Sequence, residues 1–113
     1  ELVIVVSEDK IANEPEVIEK FVKAVTRGYK DAIADPLDAV AVLKSVKPET
    51  DLDIENPGVA LLAPLWATDN GVFGWQEQSR WEEFADWMVE SGRLSSASSA
   101  AAAYTNSFVE GAR

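Results

Sequence analysis

A chain of 113 residues has room for one small domain, and a hydrophobic share of 47% is ample for a core. A net charge of −10 argues against nucleic-acid binding and against attraction to anionic membrane surfaces; it reads as a solvated acidic surface. With no Cys and no His, the chain holds no disulfide, thiolate nucleophile, Cys/His zinc site, or Ser-His or Cys-His catalytic pair.

The first element predicted is a strand over residues 1–6. Leu2, Val3, Ile4, Val5 and Val6 are an unbroken β-branched and aliphatic run that does not alternate with polar residues. Runs of this kind suit the centre of a parallel sheet covered on both faces. Ser7 then caps a short turn of helix through Ala12. Asn13 and Glu16 have capping-box spacing and Pro15 suits a first turn, so a long helix is expected from residue 13. Ile18, Phe21, Val22, Val25, Tyr29, Ala32 and Ile33 form its apolar stripe. Gly28 lies beside that stripe, where it would let another backbone approach closely.

Asp35 and Pro36 supply the N-cap and first position of a second helix, which Pro48 ends, giving a helical pair over 13–47. A helix over 54–67 follows, with Pro64 expected to kink it or stop it early. Asn70, Gly71 and Gly74 mark a loop. The next helix is expected over 79–92, with Ser79 and Glu82 as a capping box and Gly92 near its C-terminus. Trp81, Phe84, Ala85 and Met88 would face the core. The tail, 95–113, opens with a Ser/Ala tract and ends with two aromatic anchors, Tyr104 and Phe108.

No second segment reads as a strand, so the partner of residues 2–6 is expected from outside the chain. A missing N-terminal portion or another copy would supply it. The chain opens on Glu1, not Met, which fits a processed product or part of a longer polypeptide. No apolar run approaches the ~20 residues needed to cross a bilayer, and no signal-peptide pattern is visible.

The order of segments resembles a known family. Pro15, Val17, Ile18, Phe21, Ala24, Gly28, Tyr29, Ala32, Ile33 and Pro36 follow the helix pattern of the NMT1/THI5-like (SsuA-like) substrate-binding proteins. The Ser-Glu pair after the strand and the later "GVFGWQEQSRWEEFADWMVESGRL" and "YTNSF" resemble the same family, most of all its thiamine-pyrimidine-precursor branch. The Ser/Ala tract departs from the pattern, which usually has acidic residues there. The resemblance implies an α/β fold of two lobes with the ligand between them, the type II periplasmic-binding-protein arrangement. This chain would be a C-terminal fragment of one lobe, mostly helical with one N-terminal strand. It also implies a non-enzymatic solute receptor of an ABC importer, at the periplasmic or outer cell surface. The receptor would be held to the membrane through its transporter or a lost anchor. Its partners would be a small-molecule ligand and the permease, with no cofactor. A thiamine-precursor pyrimidine is the first ligand expected, with sulfonates, nitrate-like anions and flavins as relatives' cargoes.

Residue by residue, the chemistry is thin. Trp66, Phe73, Trp75, Trp81, Phe84 and Trp87 read either as packing between helices or as a stacking platform for a flat heterocycle. Trp66 and Trp75, on either side of the Gly-rich loop, are the two expected near a ligand. Glu49, Asp51, Asp53 and Glu55 lack the spacing of a calcium loop, so no metal site is expected. Glu82, Glu83, Asp86 and Glu90 read as the solvated face of their helix, and no catalytic residue is assigned. Two other functions compete with the receptor. One is a pyrimidine-synthesising THI5-like enzyme, whose Cys and His would lie upstream. The other is a free-standing helical interaction module whose strand completes a partner's sheet.

Overall fold

Helix starts and stops written into the sequence set the architecture. The structure, a computed structural model, describes residues 3–66, 72–96 and 100–110. Ser7 accepts a hydrogen bond from the Lys10 amide and opens α1, Glu8–Asn13. Pro15 opens α2, Pro15–Ala34. Asp35 accepts from the Asp38 amide at 3.0 Å and, with Pro36, opens α3, Pro36–Val46. These are followed by α4, Leu52–Trp66, α5, Gln78–Glu90, a 3-10 turn at Ala100–Ala102 and a short α6, Ser107–Glu110.

The body of the molecule is α2, α3 and α4, each packed on the other two. Its apolar centre is Ile18 from α2, Val40 from α3, and Val59 and Ala63 from α4, with Thr26 and Thr50 buried beside them. Lys44 closes the α3–α4 connection, its ammonium donating to the Pro48 and Thr50 carbonyls at 2.7 Å each. α1 packs on α2, and α6 rests on α2 from the other end of the chain. Among the described residues α5 packs on the 3-10 turn and on no other helix. The α5 C-terminus closes in a left-handed turn at Gly92, φ +72°, with the Gly92 amide on the Val89 carbonyl and the Arg93 amide on that of Met88. None of the described helices is long and apolar enough to cross a membrane.

Several expectations change. The strand over 1–6 is not formed among the described residues: 3–6 join no sheet, and no strand is present to offer them its backbone. Leu2 lies outside the described residues. The mostly helical character expected of this chain is seen among the described residues, and the one N-terminal strand expected beside it is not. Asn13 closes α1 instead of capping α2, because its amide donates to the carbonyl and the carboxylate of Asp9. Glu14 takes the N-cap position of α2 with no side-chain bond. α4 begins before residue 54 and continues past both Pro57 and Pro64 to Trp66, so Pro64 does not stop it early; Ala67 lies outside the described residues, as does Asn70-Gly71. α5 begins at Gln78, leaving Ser79 inside the helix; the Ser79–Glu82 box is replaced by Gln78 donating to Glu82 at 2.6 Å. Phe21 and Phe84 face outward, not toward the core. Gly28 is exposed, with nothing within 4 Å of where a Cβ would stand, so no backbone approaches it.

The chain leaves much apolar surface uncovered. No described side chain is fully buried, and its surface of 8467 Å² compares with about 6,100 Å² for a compact protein of this mass. Its radius of gyration, 16.9 Å, compares with about 13 Å for a compact domain of this length.

Candidate functional site

Two concavities lie on the α3–α4 side. The first is apolar, about 210 Å³, and runs between α3 and α4. Ala39, Val40 and Leu43 form one wall, and Val59, Leu62 and Trp66 the other, with Glu55 the one charged side chain at its edge. It arises because α3 and α4 are both apolar over much of their circumference, so their packing faces do not use up all their Leu and Val side chains. Complete small-molecule sites enclose about 300–1,000 Å³, so this groove is smaller than such a site.

Trp66 ends the groove and belongs to a second feature. Its ring meets that of Tyr29 edge-on at 5.2 Å, and the other side of the cluster is Phe73, stacked on Tyr29 at 4.8 Å. Edge-on and offset stacking are the favoured aromatic geometries, so Tyr29 is the hub that brings a helix end and a distant loop together. Trp75 sits in the same loop, half-buried, in the turn closed by its amide on the Val72 carbonyl at 3.2 Å. Gly74 makes that turn possible with φ +79°. No ring contact joins Trp75 to Trp66 among the described residues. Of the two tryptophans expected near a ligand, Trp66 meets Tyr29 and lines the groove, and Trp75 lies in the loop that carries Phe73.

The remaining aromatics divide. Trp81 stacks on Tyr104 at 5.4 Å, an internal contact that ties the tail to α5. Phe84 and Trp87 stack on each other at 5.7 Å on the exposed side of α5, and the Arg93 guanidinium lies 4.9 Å from the Trp87 ring. So the six aromatics form no single platform.

The second concavity is broad and polar, about 400 Å³, lined by Lys44, Glu49, Thr50, Asp51, Leu52 and Asp53. One of its carboxylates serves local structure: Asp51 accepts from the Asp53 amide at 3.0 Å as α4 begins. Among the described residues no three carboxylates converge as they would on a metal. Glu82, Glu83, Asp86 and Glu90 are all exposed along α5, as a solvated face would be.

Sequence periodicity missed Tyr29 as a hub, and it missed Gln76 and Asn106 altogether. Asn106 accepts from the Gln76 amide and donates to the Gln76 carbonyl, each at 2.9 Å. The available signal was the polar Asn106 held between the two expected anchors, Tyr104 and Phe108.

Comparison with known proteins agrees with the resemblance seen in the sequence. Residues 1–39 match the family model described as NMT1/THI5 like. The riboflavin-binding protein RibY of Chloroflexus aurantiacus is 32% identical over 114 residues, covering 96% of this chain and 32% of the relative. The formylaminopyrimidine-binding protein of Halalkalibacterium halodurans is 28% identical over 92 residues, covering 78% of this chain and 28% of the relative. The chain therefore spans about a third of the length of the curated relatives it matches. No solved structure gives a significant match.

Proposed function

We propose that this chain, related to the NMT1/THI5-like family, is part of the solute-binding component of an ABC importer and that its cargo is a small flat heterocycle. A thiamine-precursor pyrimidine is the first candidate and a flavin the second. The observation that carries the reading is the groove between α3 and α4: apolar, ended by Trp66, edged by one carboxylate, and too small to enclose a ligand alone. Such a wall needs an opposing one, as the facing lobe of a binding protein supplies. The names of the two relatives support binding over catalysis.

In this reading Trp66 stacks against the ligand, Trp75 lies at the rim, and Leu2, Val3, Ile4, Val5 and Val6 form a strand in a sheet completed by other polypeptide or by another copy. Closure of two lobes around the ligand would give the permease a shape to recognise, at the periplasmic or outer cell surface.

The test is calorimetric titration of the native gene product with a formylaminopyrimidine, an aminopyrimidine alcohol and riboflavin. Saturable heat with one of them is expected, and Trp66→Ala should weaken that binding about threefold to tenfold, the worth of one aromatic stack. No heat with any of the three overturns the reading.

A further inference from the structure

α5 raises a question that the groove does not answer. It meets none of α1 to α4 among the described residues. Besides the 3-10 turn at Ala100–Ala102, on which it packs, the contacts that fix it involve residues 104–109. At the start of α5, Trp81 stacks on Tyr104 with planes only 10° apart. The Trp81 indole N–H also donates to the Gln76 side-chain oxygen at 3.0 Å. The other end of that amide donates to the Gly74 carbonyl at 3.2 Å.

Gln76 is itself held through its backbone by Asn106, 30 residues away, which takes its N–H and gives to its C=O at 2.9 Å each. Immediately after Asn106, α6 packs on α2. A Val109 methyl stands 3.9 Å from where a Cβ on Gly74 would be. The loop side of the same join is Phe73 on Tyr29 of α2.

The chemistry of the pair is selective. A planar amide offers an acceptor and a donor on one short stem, so it can satisfy both backbone groups of a single residue as a neighbouring strand would. Aspartate lacks the donor, leucine lacks both, and glutamine is one methylene too long. Both partners are half-buried, so water competes weakly for the bonds.

We propose that Tyr104 and Asn106 form a latch that carries α5 on the C-terminal segment, and that opening it lets α5 move relative to the α2–α4 body while both keep their helices. The two halves of the latch act together. Asn106 fixes the loop before α5, Tyr104 fixes the first turn of α5, and α6 fixes both to α2. The moving part includes the exposed Phe84–Trp87 pair, so the latch also sets where that aromatic surface points. This inference does not depend on the ligand or on the receptor reading.

These 113 residues hold no Cys, so two spin labels can be placed cleanly in them, at Lys23→Cys on α2 and Glu83→Cys on α5, both exposed and outside the latch. Pulsed electron resonance then reads the distance between the two bodies. The doubly labelled chain should give one narrow distribution. Asn106→Ala should broaden it severalfold and extend it to longer distances, with the far-ultraviolet helix signal unchanged. Trp81→Phe, which keeps the stack but removes the indole N–H, should broaden it less. Hydrogen exchange supplies an independent measure: Asn106→Ala should speed exchange of the Gln76 amide at least tenfold and leave the α2–α4 amides as they were. A distribution unchanged by Asn106→Ala, one already broad before it, or loss of helix throughout the variant would each overturn the latch.

Discussion

Ile4→Lys perturbs the part of the chain that has least reason to be where it stands. Val3, Ile4 and Val5 are 51%, 49% and 85% exposed, although their side chains are among the most strand-forming and apolar of all. Fully burying one such side chain contributes about 1.5–3 kcal/mol. The exposed fractions of the three amount to nearly two side chains, so covering them would contribute about 3–5 kcal/mol, or roughly two to four orders of magnitude in an association constant. Lysine at position 4 forfeits the isoleucine share, about 1 kcal/mol, and brings an ammonium to a covered face at a further cost of several kcal/mol unless it reaches water. Association through this segment should therefore fall about 100-fold or more. Sedimentation equilibrium of the chain across a concentration series reads pairing with a second copy. The denaturant midpoint of the native gene product reads pairing within a longer polypeptide. If Ile4→Lys leaves both the solution mass and the midpoint unchanged, residues 3–5 take no part in any sheet.

Two further substitutions probe local physics. Asp35→Ala removes the acceptor for the Asp38 amide and should destabilise the chain by about 1 kcal/mol in urea unfolding, while Asp35→Asn should keep most of that stability. Gly28→Ala meets open space on an exposed helix face, so it should stabilise by up to ~1 kcal/mol in the same assay; a loss instead would mean that something does approach Gly28 closely.

The features legible in the sequence were those decided within one helical turn. Ser7, Pro15, Asp35, Pro36 and Gly92 act on amides and carbonyls at most a few residues away, and each does in the structure what its chemistry suggests. Asn13 and Ser79 show the limit of the same logic. Either could cap the helix that follows, but Asn13 has a nearer partner in Asp9, and the entry to α5 is set one residue earlier by a loop tied to Asn106. Periodicity likewise identified which residues of α2 and α5 are apolar without saying which would find a neighbour. Ile18 does, and Phe21, on the same stripe, does not. The Tyr29–Phe73 stack and the Gln76–Asn106 pair join segments far apart in the chain, and no local pattern encodes such a join.

The exposed aliphatic surface follows from the same distinction between having apolar residues and having partners for them. A composition of 47% hydrophobic residues would ordinarily build a continuous core, yet the apolar side chains buried among the described residues are Ile18, Val40, Val59 and Ala63. Leu37, Val46, Ile54, Leu61 and Leu65 remain outside on α3 and α4, and Phe84 and Trp87 on α5. α3 and α4 are apolar nearly all round, which in a helix signals cover on more than one side. Three helices in one bundle can cover only the faces they turn toward each other. The other faces, the open groove beside Trp66 and the unpaired residues 3–6 therefore have one physical explanation: surfaces suited to burial that this length of chain does not itself bury. A protein that takes its ligand between two bodies needs one body to present such a wall, and that requirement connects the exposed surface to the proposed solute-binding role.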